Sequence, residues 1–234
     1  MGLLTIIRKS NHKERQLRIL FLGLDNSGKS TIVKRLLNAP DWQEQSPTLG
    51  FEIHSLPFDL AHGNDETAKS QQAVRRGRQF TLNLWDIGGQ RTLRPYWRNY
   101  FERTDGLVWV VDSHDAARLA ECREELWSLV VAEERLASAS LLVLANKQDV
   151  PGAKGLEEVR RTLRLDELAK QRGATVKVMA CSAVRGDGYN EGMKWLVGDC
   201  ERRLYWGSST MQGTVAVKAV NDEAGNTAPT IAAA

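Results

Sequence analysis

Residues 17–30 read LRILFLGLDNSGKS. The apolar run from Leu17 to Leu22 has the make-up of a buried strand. It enters a glycine-rich loop, and residues 29–38 then carry helical spacing. Gly23-Leu24-Asp25-Asn26-Ser27-Gly28-Lys29-Ser30 fits GxxxxGK[ST] with the strand before and the helix after that this pattern requires. Glycines let the backbone wrap closely around phosphate oxygens with its N–H groups turned inward. The first turn of the helix adds partial positive charge. Lys29 is expected to neutralise β- and γ-phosphate oxygens and the Ser30 hydroxyl to ligate Mg²⁺. Asp25, Asn26, Ser27 and Thr31 complete the expected phosphate contacts. The loop alone does not choose between ATP and GTP.

Outward from this loop, strands alternate with helices. Phe51–Phe58, Phe80–Trp85, Leu107–Val111, Leu141–Ala145 and Thr175–Met179 read as further strands. The second of these alternates, with Phe80, Leu82 and Leu84 on one face. The runs at 107–111 and 141–145 are continuously apolar, as in strands buried on both faces. Helical patterns lie at 116–136, 154–164 and 189–204. The sequence therefore predicts an α/β fold with a mostly parallel sheet of about six strands and helices on both faces.

Three segments stand outside this core. Residues 1–16, with Leu3, Leu4, Ile6 and Ile7 ahead of a basic stretch, read as a short amphipathic helix that docks on protein or lipid, or as a frayed terminus. Residues 59–79 are a polar insertion in the 17–205 core, either a solvated linker or a partner site. Residues 206–234 read as a disordered tail. Bulk properties fit a globular protein: 234 residues, 42% hydrophobic and 26% charged, with mean hydropathy −0.39. A net charge of +3 is too small to argue for nucleic acid. Three scattered cysteines, Cys122, Cys181 and Cys200, suggest reduced thiols and a cytoplasmic setting. No apolar run is long enough for a membrane span and no signal peptide is evident.

Asn146-Lys147-Gln148-Asp149 follows the strand LLVLA and makes the base choice. A carboxylate at Asp149 accepts hydrogen bonds from guanine N1–H and its 2-amino group. Adenine offers neither and would leave the carboxylate unpaired. The Lys147 stem can lie along the base, and Asn146 can tie this loop to the phosphate loop. Ser182 and Ala183, in Cys181-Ser182-Ala183, are placed to give a backbone N–H to guanine O6, or form a plain turn. Asp86-Ile87-Gly88-Gly89-Gln90 ends an alternating strand. Asp86 is expected to hold Mg²⁺, Gly89 to send its N–H to the γ-phosphate, and Gln90 to orient the attacking water. In Ser46-Pro47-Thr48-Leu49-Gly50, Thr48 can ligate Mg²⁺ and the γ-phosphate together. Both contacts vanish when that phosphate leaves, which is an order–disorder switch.

These motifs in this order resemble the Ras-like GTPase superfamily. GLDNSGKST, PTLGF (47–51), WDIGGQ and PYWRNYF (95–101) resemble its ADP-ribosylation-factor (Arf) family. MGLLTI, YFERTDGLVWVVDS (100–113), ERLASASLLVLANKQD (134–149) and PGA (151–153) narrow the resemblance to the type-2 Arf-like branch. The type-3 branch usually has Gln where this chain has Leu49. The resemblance spans 1–58 and 80–205. It implies a Ras-like P-loop GTPase fold, GTP/GDP and Mg²⁺ as ligands, and slow hydrolysis at Gln90. It also implies a GTPase-activating protein, an exchange factor and GTP-state effectors as partners of a monomer. In the family, GTP binding slides the strand pair between the switches by two residues and expels the N-terminal helix. A two-residue slip keeps every side chain on its own face. Effectors pack on an apolar patch that corresponds to Phe51, Trp85 and Tyr100, residues that are otherwise ordinary core. The type-2 branch adds tubulin-folding cofactor D, carriers of lipidated cargo and a role in microtubule biogenesis.

Three features bear on these implications. Gly2 is followed by Ile6 where a myristoylation signal has Ser or Thr, so no stable membrane anchor is expected. Asp25 stands where Ras proteins have glycine, as in the rest of the branch. Gα proteins carry a catalytic arginine three residues before the switch threonine, and that position here is Gln45, so hydrolysis is expected to need an activating partner. Two alternatives are a type-3 switch that releases lipidated cargo in cilia and a non-hydrolysing, nucleotide-locked scaffold. The presence of Gln90, Thr48 and Asp86 argues against the scaffold, and NKQD argues against an ATP-using P-loop kinase.

Overall fold

The computed structural model describes residues 15–44, 46–60, 79–172 and 176–206, apart from the side chains of Tyr205 and Trp206. Six strands form one sheet: β1 (Gln16–Leu22), β2 (Phe51–Asp59), β3 (Gln79–Ile87), β4 (Gly106–Asp112), β5 (Ser140–Asn146) and β6 (Val176–Ala180). Their spatial order is β2-β3-β1-β4-β5-β6, and only β2 runs antiparallel to its neighbour. Five α-helices complete the described core: α1 (Lys29–Leu36), α2 (Leu119–Ala132), α3 (Leu156–Thr162), α4 (Leu165–Arg172) and α5 (Tyr189–Glu201).

The hydrophobic pattern explains the layering. Every residue of β5 is buried, and in β4 only the last, Asp112, is not. These central strands need apolar side chains on both faces, because a core lies on each side. On one side Leu107, Trp109, Leu141 and Val143 meet Leu126 and Leu129 of α2 and Leu168 of α4. On the other Val108, Val110, Leu142 and Leu144 meet Ile32 and Val33 of α1 and Met193, Leu196 and Val197 of α5. Gly106 opens β4 because a Cβ there would lie 2.9 Å from the Ile19 side chain.

The predicted strands all form, most with ends extended by a residue or two. Gln16 belongs to β1 rather than to the N-terminal segment, and Thr175 lies outside the described residues. Asp59 and Gln79, the expected ends of the polar insertion, instead face each other in the β2–β3 ladder. Backbone pairing outweighs their polar side chains. The rest of the insertion, the N-terminal helix expected over 1–16 up to residue 14, and the tail from 207 lie outside the described residues. Trp206 still belongs to the π-helical turn Arg202–Trp206 that prolongs α5. Helix α4 had no counterpart in the predicted helices. Its only buried residues are Leu165 and Leu168, and left-handed Arg164 (φ 53°) separates it from α3.

Candidate functional site

The loop between β1 and α1 lies at the carboxyl end of the sheet. Gly28, with φ 93°, caps α1 without a side-chain hydrogen bond, and the first turn carries no acidic residue. The free N–H groups of that turn are thus left for an anion. Lys29 is buried, and its Nζ donates to the carbonyls of Gly23 at 3.0 Å and Leu24 at 2.8 Å. Burial lowers its pKa to about 8, against the opposing pull of Asp86 and Asp25. A cleft of about 270 Å³ opens here, lined by Asp25, Asn26, Gly28, Lys29, Ser30 and Thr31 on one side. Ser46, Pro47 and Thr48 together with Gly88, Gly89 and Gln90 line the other. The phosphate loop and both segments expected to switch therefore meet at one cavity.

Side-chain oxygens of Ser30, Thr48 and Asp86 come together beside it. Ser30 Oγ lies 2.8 Å from Thr48 Oγ1, which donates to Asp86 Oδ2 at 3.5 Å. Asp86 is buried, and its Oδ1 has no hydrogen-bond partner. Burial raises the Asp86 pKa, with the Ser30 hydroxyl and Lys29 offsetting part of the effect. A buried, orphaned carboxylate oxygen beside two hydroxyls is costly by itself and suits a hard, oxygen-seeking cation. The described residues hold no cluster of three or more His, Cys, Asp or Glu that could bind a metal.

Gly88 and Gly89 are required by close approach. A Cβ on Gly88 would stand 2.7 Å from Thr48 O, and one on Gly89 would stand 2.5 Å from Asp25 N, Gly23 O and Leu24 C. Gly88 N–H donates to Gly50 O at 2.9 Å, which stitches the two candidate switch segments together. Asp25 N–H donates to Gly89 O at 3.2 Å.

The second half of the site is the NKQD loop after β5. Asn146 is buried, and its Nδ2 donates to Ser27 O at 2.8 Å, joining the two loops as the sequence predicts. Gly28 makes room for that amide, since a Cβ there would sit 2.3 Å from Asn146 Nδ2. Asp149 Oδ1 accepts from Ser182 Oγ at 2.6 Å, which fixes the carboxylate. Lys147, at φ 65°, pairs with Asp112 Oδ2 at 2.6 Å. Asp112, at the end of β4, was not among the predicted site residues. Ala183 N–H was expected to face a base oxygen and here donates to Asn146 Oδ1 at 3.0 Å. A buried N–H takes an available acceptor, so an arriving carbonyl would have to share it.

Phe51, Trp85 and Tyr100 do come together. The Phe51 and Trp85 rings stack at 5.7 Å, and Tyr100 lies 5.1 Å from Phe51 and 6.1 Å from Trp85. Trp85 and Tyr100 pack on the core, whereas Phe51 is 45% exposed with Ile53, 49% exposed, alongside. The cluster is thus core below and an apolar surface above. Two arginines that the motifs did not single out hold this region. Arg118 binds both oxygens of Asp25 at 3.1 Å. Arg94 donates to Gly89 O at 3.0 Å, to Glu121 at 2.7 Å and to Glu125 at 3.0 Å.

The phosphate-loop and NKQD motifs at the carboxyl end of this sheet, with the segments at 46–50 and 86–90 beside them, define a Ras-like small GTPase. Residues 3–200 match the model of the ADP-ribosylation factor family. ADP-ribosylation factor-like protein 2 of Arabidopsis thaliana is 49% identical over 205 residues, covering 88% of this chain and 98% of that one. The Drosophila melanogaster protein of the same name is 46% identical over the same shares. ADP-ribosylation factor-like protein 3 of Chlamydomonas reinhardtii is 44% identical, covering 84% of this chain and 98% of its own. Among solved structures, the small GTPase Arl6 (BBS3) of Trypanosoma brucei, bound to the nucleotide analogue GppNp, superposes with a TM-score of 0.64. It shares 25% identity, over 80% of this chain and 98% of that one. The chain belongs to the ADP-ribosylation factor family, and is a GTP-binding switch of the small-GTPase kind.

Proposed function

We propose that this chain is an Arf-like switch that hydrolyses GTP slowly by itself and signals through a GTP-dependent surface at Phe51, Trp85 and Tyr100. The observation that carries this reading is the meeting of Thr48 with Ser30 and Asp86 beside Gly88, Gly89 and Gln90. Residues from three separate segments gather where a γ-phosphate would lie. Lys29, Ser27, Gly28 and Thr31 would hold the β- and γ-phosphates. Asn26 and Gly23 shape the loop. Asp149 would pair with guanine N1–H and its 2-amino group, with Lys147 along the base and Ser182 and Ala183 at its edge. Ser30, Thr48 and Asp86 would hold Mg²⁺, which neutralises phosphate charge when bound.

In the reaction, the Gln90 amide orients a water in line with the γ-phosphorus. The new P–O bond forms from that water as the bond to the β-phosphate oxygen breaks. The products are GDP and inorganic phosphate, and the water's proton leaves with phosphate. Lys29 balances charge on the leaving oxygen. Among the described residues no arginine lines the cleft, so a partner's arginine would complete it. Such an arginine adds roughly 10³–10⁵-fold in this superfamily. Unassisted turnover above about one per second would defeat this part of the reading.

The likeness to ADP-ribosylation factor-like protein 2 supports a finer proposal: a cytoplasmic, cytoskeleton-associated role in tubulin folding, with tubulin-folding cofactor D and carriers of lipidated cargo among the partners. The test is mass spectrometry of proteins captured by the GTP-loaded Gln90→Leu variant and by the GDP-loaded chain. Tubulin cofactors or cargo carriers, with effectors favouring the GTP form, are expected. An identical set in both states would sink the switch.

A further inference from the structure

We infer that Arg94 is a positioning residue for hydrolysis: it holds the Gly89–Gln90 backbone against the phosphate loop by anchoring it to helix α2. The inference rests on the proposed catalytic site and adds a residue that the nucleotide-binding motifs do not contain.

Arg94 is only 7% exposed, and its guanidinium reaches three elements at once. Nε donates to Gly89 O at 3.0 Å. Nη1 donates to Glu121 Oε1 at 2.7 Å and Glu125 Oε1 at 3.0 Å, one turn apart on α2. Nη2 faces Asp25 Oδ1 of the phosphate loop at 3.5 Å. Arg118, just before α2, grips the same Asp25 through both carboxylate oxygens and its carbonyl. A planar guanidinium serves these partners in one fixed geometry, so it fixes their relative positions as well as their charge.

The placement matters because Gly89 immediately precedes Gln90. Gly89 O also accepts from Asp25 N–H at 3.2 Å, and its Cα sits so close to the loop that no side chain fits. Arg94 therefore holds the peptide from which Gln90 projects, while itself lying behind the cleft and lining none of it. A lysine in its place carries the charge but lacks the fork, and cannot serve Gly89 and both glutamates together.

The test uses the full chain with Mg²⁺, GDP and GppNp, measuring both affinities, single-turnover GTP hydrolysis and the melting temperature. Arg94→Ala is expected to leave GDP affinity near the parent value. It should weaken GppNp binding and slow hydrolysis by about ten- to hundredfold, the range of one charge-assisted hydrogen bond. Arg94→Lys should recover the melting temperature but not the hydrolysis rate. Three results would overturn the inference: an unchanged rate and affinity ratio in Arg94→Ala, equal loss of both nucleotides, or full recovery of hydrolysis in Arg94→Lys. A parent chain that binds GDP and GppNp but never hydrolyses GTP would instead overturn the catalytic reading beneath it.

Discussion

Gly89→Ala is a one-methyl perturbation whose consequence can be worked from the backbone. The added carbon would lie 2.5 Å from Asp25 N, Gly23 O and Leu24 C, all backbone atoms that cannot rotate away. Ordinary contact begins at 3.4 Å, so Gly89 must recede by about 0.9 Å from the phosphate loop. That retreat stretches the Asp25 N–H bond to Gly89 O from 3.2 Å past useful range, and strains the Arg94 bond to the same oxygen, now 3.0 Å. Losing one neutral and one charge-assisted hydrogen bond amounts to about 2–4 kcal/mol against the ordered segment. This is roughly a 30- to 1,000-fold shift in equilibrium. The proposed GDP contacts lie on the phosphate loop and on NKQD, from which Gly89 recedes. Stopped-flow measurement with fluorescent GDP and GppNp should therefore show near-normal GDP binding and a GppNp affinity reduced within that range. An unchanged ratio of the two affinities would refute the packing argument.

Three further outcomes follow from the same geometry. Asp149→Asn swaps one of two carboxylate acceptors for an N–H₂ donor, so the proposed pairing with guanine N1–H and its 2-amino group loses one bond, and GDP binding should weaken by at least about a hundredfold in a competition assay. Lys29, with its pKa lowered to about 8 by burial, should regain a proton when phosphates arrive. Calorimetry in buffers of different ionisation heat should thus show proton uptake on GDP binding at pH 9 and almost none at pH 6.5. Phosphate affinity falls as pH rises through about 8, because the unliganded lysine is then neutral. Trp97→Phe removes the bond from its Nε1 to Gly88 O, 2.9 Å long in the buried core, and should lower stability by about 1–3 kcal/mol in denaturant melts without altering GDP affinity.

Much of this was legible in the sequence, for identifiable reasons. Buried parallel strands write themselves as apolar runs, so β4 and β5 were plain. Nucleotide-binding patterns place fixed residue types at fixed spacing, so Lys29, Ser30, Asp86, Asn146 and Asp149 could be named as candidates by pattern. Motif order gave the resemblance to the Ras-like superfamily, and the segments GLDNSGKST, PTLGF, WDIGGQ and PYWRNYF narrowed it to the Arf family, to which the chain belongs. Less was written locally where tertiary pairing decides. Helix α4 is short, polar and set off by one left-handed residue. Asp59 and Gln79 look like loop residues yet close a strand pair. Arg94, Arg118 and Asp112 matter through partners far away in the chain, and no spacing rule announces such contacts. The fate of the Ala183 N–H was also illegible, since it depends on the orientation of the Asn146 amide.

Hydrogen–deuterium exchange on the GDP- and GppNp-loaded chain reads whether the nucleotide sets the conformation of the two segments. Amides of 46–60 and 79–100 should exchange more slowly with GppNp, where Thr48 and Gly89 gain a γ-phosphate, while the NKQD loop exchanges alike in both states. Identical exchange across all three regions would contradict the account and leave the nucleotide a structural ligand.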